Sequence, residues 1–420
     1  MQSLNDSEHP FEGSARKKLR FGLRRPIRWL LPLCLLAGAV ILQRVATSHP
    51  DAVDRIYSRT IYFYLGRALS QASRLFSFSV GEALLVGLPC VGLILALWQT
   101  RRQLARGASR LEIVLARSRG LVWFAGVFFL GFLVIWGLNY QRTPLARGMG
   151  LTERKASAVE LETICRQIIA EVNRSFEGAR GTSDWSAASR LSLSREELFH
   201  ALEEAYQSEG LLGEAARGGF GPPKPVYFSR VMSRLGVSGI YSPLTGEPNF
   251  NAEQPDCEMP FAIAHEKAHQ RGYAREDEAS FIAFLTCARA RQPYVQYSGF
   301  LRGLKVLAAL QPVVSPERYR EIVSELASGP RNDLRVSAEF WRRSRHPLLE
   351  RVAERANDSY LRANRVQTGV RNYGEVVSLI ISYYLTYPEK VVGAGLVPAR
   401  LPTEAGQGQA LPLQLTLSDE

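Results

Sequence analysis

Hydrophobic and polar positions fall into two regimes along the 420-residue chain, with the change near residue 139. Before it lie three apolar runs. Leu121–Leu138 is 18 residues without a charge, long enough to cross a bilayer core. Ala83–Trp98 spans 16 residues, with Glu82 just ahead of it. Trp29–Leu42 covers 14, extended by Ile27 and by Arg28, whose head can snorkel. Each predicts a membrane-spanning helix. The short first run also suits a cleaved signal peptide, although the polar segment ahead of it is long for one. Beyond Asn139 no charge-free apolar run exceeds about half a span, which predicts a soluble domain.

That second part reads mainly as helices. In Leu161–Phe176, Ile164, Ile168, Ile169 and Val172 recur on one helical face. A similar pattern covers Leu191–Tyr206, with Ser194 as a cap candidate, and Ser315-Pro316 has the form of a helix start. Between them, residues 218–255 are rich in Gly, Pro and β-branched residues, which predicts two or three short strands, with Pro243 and Gly246 as breakers. Helices are expected again up to about residue 385. The predicted organisation is a basic tail (1–26), three membrane helices with their loops (27–138), a soluble domain (139–390) and an aperiodic tail (391–420). The fold class is membrane-anchored and mainly α, with a small sheet next to the helix of residues 261–269.

Charge gives the first part an orientation. Residues 1–120 hold 18 Lys and Arg against 7 Asp and Glu, so +11 of the net +12 lies there. Basic residues gathered around apolar runs mark a membrane protein; a nucleic-acid binder would carry them on its folded domain. Arg16, Lys17, Lys18, Arg20, Arg24 and Arg25 precede the first run, and Arg101, Arg102, Arg106, Arg110, Arg117 and Arg119 separate the second from the third. Both stretches are expected on the cytoplasmic side, which places a multi-pass protein in the cell membrane with its soluble domain extracytoplasmic. The 46–78 loop is mixed in charge. The five cysteines contain no CxxC pair, so no zinc ribbon is expected and the redox compartment stays open.

The chemistry concentrates in residues 261–281, FAIAHEKAHQRGYAREDEASF. His265-Glu266-Lys267-Ala268-His269 is an HExxH motif. Residues i and i+4 stack on one helical face, so both imidazoles can bind one Zn²⁺, and Glu266, one step round, can act as general base toward water on the metal. Pro260 suits a first helical turn and Gly272 a C-cap. A catalytic zinc needs a third protein ligand. If the chain turns back at Gly272, a residue six or seven positions after His269 can return to the metal. Arg275 cannot ligate, which excludes a three-histidine pattern. Glu276 and Glu278 remain, both also compatible with an ordinary acidic first turn of a helix. Tyr241, Tyr273 and Arg275 are candidate oxyanion stabilisers, with His200 and His346 as remoter ones. Residues 237–241 can form an edge strand able to pair with an extended peptide, or simply a strand covering the motif helix.

Arg275-Glu276-Asp277-Glu278-Ala279-Ser280 resembles the RExxAD or ExxAN helix of gluzincin metallopeptidases. The resemblance implies that Glu276 is the third ligand and that the fold is a zincin-like α+β domain. Ser280 stands where those enzymes usually carry Asp or Asn. Over about residues 25–385, the three spans, the Gly-Ile-Tyr-Ser-Pro segment at 239–243 and HEKAHQRGYAREDEASF together resemble an uncharacterised bacterial membrane-protein family, domain-of-unknown-function family 3810. The expected function is a zinc-dependent peptidase acting on a peptide or protein at the lipid bilayer, with no nucleic-acid partner. The alternative is a non-catalytic zinc-binding sensor or scaffold on the same fold.

Overall fold

The computed structural model describes residues 11–179, 188–207, 218–363 and 372–388. Among these, three helices are long and apolar enough to cross a membrane: Trp29–Ser48, Val80–Ala105 and Arg110–Ile135, here spans one, two and three. Span one continues a helix that begins at Phe11, inside the basic segment expected as a tail, where Ala, Lys, Arg and Leu favour helix. Span two is capped by Ser79, whose Oγ accepts from the Glu82 amide. Span three opens on a capping box between Ser109 and Glu112, after a turn in which Gly107 takes φ +73°. Spans one and three pack together, with Gly126 against the Pro32 carbonyl and Leu35. Among the described residues span two has none buried, so its apolar surface is exposed, as a helix facing lipid would be.

Span three ends earlier than the apolar run does. Its helix stops at Ile135, Trp136 leaves the helical region (φ −149°, ψ −47°), and Gly137–Gln141 form a buried 3-10 turn. Leu138 therefore belongs to the junction with the soluble domain. The loop between spans one and two is also ordered. It contains a π-helix, Val53–Ile61, and an α-helix, Tyr62–Ser73, packed against the soluble domain.

The soluble domain is a helical core beside a three-stranded sheet. β1 (Lys224–Pro225) runs parallel to β3 (Glu247–Phe250), and β2 (Gly239–Ser242) runs antiparallel to β3 on its other side. The breakers lie between β2 and β3, where Gly246 takes φ +66°. Helix Ala158–Ala179 buries Ile164, Ile168, Ile169 and Val172, the face set by its periodicity. Ser194 and Glu197 form reciprocal caps at the start of helix Arg195–Gln207. Ser315 caps helix Pro316–Ser324. The motif helix (Met259–Gln270) and the acidic helix (Glu276–Ala288) are central to this core, which also includes helices Pro293–Gly303 and Asn372–Thr386. The 391–420 tail lies outside the described residues. All five cysteines are free thiols.

Candidate metal centre

The motif helix is held on both of its faces. On one, Lys267 and Arg271 are buried and share the Glu203 carboxylate: Lys267 Nζ donates at 2.8 Å and Arg271 Nη2 at 2.8 and 2.9 Å. The Arg271 guanidinium also lies over the Tyr206 ring, 4.0 Å from its centroid. On the other face the two motif histidines point toward the acidic helix. The turn between the helices depends on Gly272, at φ +86°. A side chain there would also lie 2.9 Å from the Tyr62 ring, so glycine is required by conformation and by space.

That turn brings three ligands together. His265 Nε2 lies 3.1 Å from His269 Nε2 and 3.0 Å from Glu276 Oε2, which is 3.6 Å from His269 Nε2. Among the described residues this is the one group of histidine, cysteine or carboxylate side chains whose ligand atoms converge, all within 4.8 Å of one another. The other ring nitrogens are occupied. His269 Nδ1 donates to the Tyr273 carbonyl at 2.6 Å, and His265 Nδ1 is 3.1 Å from Ser280 Oγ. Such outer contacts fix which imidazole nitrogen faces a metal. Ser280 thus touches the histidine that the shorter side chain still reaches. Two imidazoles and a carboxylate suit Zn²⁺, and the cluster has three members among the described residues, which leaves a coordination position without a protein ligand.

The charges of the cluster act on one another. Burial alone would lift the Glu276 carboxyl, but His269 and His265 outweigh it and hold it well below the ordinary range. Burial works against charge on His269, yet Glu276 raises it to about 9. His265 is lowered by burial. Glu276 therefore favours the charged form of His269 over that of His265. Glu266 stands beside the cluster. Burial raises its carboxyl to about 8; the nearby His269 opposes the rise most, Glu276 adds to it, and the Tyr241 amide opposes it less.

Gly239 runs so close to Glu266 that a Cβ would lie 2.6 Å from its Oε1. Glu278 turns away from the cluster and accepts from the Leu145 amide at 2.8 Å. Of the oxyanion candidates, Tyr241 places its hydroxyl 2.8 Å from Tyr62 Oη. Tyr273 lies under the Arg142 guanidinium, and Arg275 sits ahead of the acidic helix, 3.9 Å from Glu278. His200 and His346 are exposed and outside the cluster.

Several contributors come from the membrane module and were not expected. Tyr62 Oη donates to the Gln270 carbonyl at 3.2 Å. The Trp136 ring lies 4.9 Å from the Tyr241 ring and 6.1 Å from the His269 ring, centroid to centroid. Arg142 donates from Nη1 to the Gly272 carbonyl at 3.1 Å and pairs with Asp54 at 2.6 Å. The one sequence signal for this was the pair of aspartates in the mixed 46–78 loop.

The family model described as Protein of unknown function (DUF3810) matches residues 57–381. The match takes in the docked loop, spans two and three and the metal cluster; it leaves out span one, which the sequence resemblance had included. No curated protein and no solved structure matches.

Proposed function

The chain belongs to that family of unknown function, and from the geometry of the cluster we propose that it is a membrane-anchored, gluzincin-like zinc metallopeptidase. The observation that carries this is the convergence of His265, His269 and Glu276 with Glu266 alongside. Zn²⁺ bound there supplies Lewis acidity to a water molecule and to a peptide carbonyl. The remaining work belongs to the chain. Ser280 and the Tyr273 carbonyl orient the imidazoles. Glu266, held against Gly239 of β2, would take a proton from water and pass it to the leaving amine. A neighbouring dication favours its carboxylate form, which a base at neutral pH needs. Among the described residues the cluster has three members, the number a catalytic zinc takes from protein, and the reading as a peptidase rests on that in preference to a scaffold.

The soluble domain and the 49–79 loop are bonded to each other through Tyr62, Arg142 and Ser70. They lie on the same side of the membrane, which agrees with two spans between them. With the arginines between spans two and three taken as cytoplasmic, the proposal has the domain face away from the cytoplasm.

The test is cleavage of a randomised peptide library by the full-length, zinc-loaded protein. Turnover abolished by Glu266→Gln, with zinc retained, is expected. Cleavage unaffected by Glu266→Gln would exclude this site as its source.

A further inference from the structure

Resting on the peptidase reading, we propose that the substrate is a membrane-anchored polypeptide, cut in the short stretch of chain just outside the bilayer. The geometry begins with where the spans end. Spans two and three form an antiparallel hairpin, so Val80 and Ile135 lie at its same end. Span one ends there too, since Thr47 Oγ1 donates to Gln141 Oε1 at 2.9 Å, just past span three. The motif helix ends at this level. Its last turn touches Tyr62 and Trp136, Arg142 bonds the Gly272 carbonyl just beyond it, and the Trp136 ring, one residue beyond span three, is 6.1 Å from the His269 ring.

The second part is the direction of β2. One end, Gly239, lies against the Glu266 carboxylate. The other end, Ser242, lies against Gly81 in the first turn of span two, where a Cβ would be 2.6 Å from the serine Cβ. At about 3.3 Å per residue, the strand covers roughly 10 Å from general base to span. β2 pairs with β3 on one side only. Asn251 donates to the Ser238 carbonyl across the ladder, so the main-chain groups of Gly239 and Tyr241 alternate to the outer edge. Ile240 is 50% exposed. An extended chain added along this edge with its scissile bond at Glu266 reaches the bilayer within a few residues.

The third part is that the domain is fixed at this height. Glu82, in the first turn of span two, accepts from the Tyr227 and Phe228 amides, each at 2.8 Å. Glu247 of β3 accepts from the Val80 amide at 3.2 Å, the Gly81 amide at 2.6 Å and Lys224 Nζ at 2.5 Å. The sheet that carries the edge strand is thereby bonded to the start of the span, and a cleavage site far from the membrane lies out of its reach.

The experiment uses the full-length, zinc-loaded protein in phosphatidylethanolamine–phosphatidylglycerol nanodiscs. Three probes are offered: a single-span peptide with a randomised segment directly outside the bilayer, the same peptide with a long Gly-Ser spacer before that segment, and the randomised segment without an anchor. Glu266-dependent cuts are expected within about six residues of the bilayer in the first probe. The second probe should be cut at least about tenfold more slowly within its randomised segment, although its anchor keeps it in the same disc. Equal Glu266-dependent cleavage of all three would overturn the juxtamembrane assignment and leave the peptidase reading standing. No Glu266-dependent cleavage of any probe would overturn both.

Discussion

Replacing Glu203 by alanine tests how the motif helix is held. The change removes the carboxylate shared by Lys267 and Arg271, whose side chains are 2% and 0% exposed. Removing one partner of a buried ion pair typically costs about 3–5 kcal/mol, because the remaining charge stays desolvated. Arg271 keeps its bond to the Lys267 carbonyl and its place over Tyr206, so Lys267 carries most of the loss. For a domain of this size each kcal/mol moves the melting temperature by about 2–4 °C. A fall of roughly 8–16 °C at pH 7 follows from about 4 kcal/mol. The sign of the pH dependence is fixed as well. Burial already lowers the Lys267 pKa, and loss of Glu203 removes the attraction that raises it. Between the folded pKa of Lys267 and its unfolded value the unfolded chain binds more protons, so the variant gains stability as pH rises. Thermal unfolding of the full-length protein in detergent at pH 7 and pH 9 measures both effects. A shift under about 2 °C at pH 7, or a larger deficit at pH 9, would refute the reasoning.

Gly272→Ala should cost about 2–4 kcal/mol, from the positive φ and the Tyr62 contact, read as a lower melting temperature. Ser280→Ala should weaken zinc binding about tenfold to a hundredfold by freeing His265 Nδ1, and Ser280→Asp should largely restore it; chelator competition measures this. In the same assay Glu276→Gln should reduce affinity far more than Glu278→Gln, whose carboxylate serves the Leu145 amide and whose loss should appear in stability. Zinc affinity should fall about tenfold per pH unit below pH 9, because metal must displace the proton held on His269, and more steeply once the lowered His265 also protonates. An affinity flat between pH 7 and pH 9 would contradict that proton balance.

The three spans, the helical character of the domain and the strand-rich 218–255 segment were legible because they are set by local pattern: charge-free length, 3.6-residue periodicity, and Gly and Pro punctuation. The HExxH spacing and the glycine turn likewise pointed to His265 and His269 as neighbours, with Glu276 or Glu278 returning to them. Geometry read from sequence could not choose between Glu276 and Glu278, since the choice rests on rotation of the acidic helix; that rotation is set by packing and by the Leu145 amide, which lies 133 residues away. The Asp54–Arg142 pair and the Tyr62 contact were invisible for the same reason. They join segments distant in sequence, and the apolar pattern of the membrane module describes its contact with lipid and carries no trace of its contact with the domain. Trp136 lies inside the third apolar run of the sequence, and only the turn after Ile135 brings it to His269.

The most direct test of the central claim is the zinc content of full-length protein, purified without chelators and measured by mass spectrometry of the metal. Wild type and Glu266→Gln should each carry about one zinc per chain, and the His265→Ala/His269→Ala double variant close to none. Stoichiometric zinc in the double variant, or loss of zinc in Glu266→Gln alone, would contradict the assignment of His265, His269 and Glu276 as ligands with Glu266 as the base beside them.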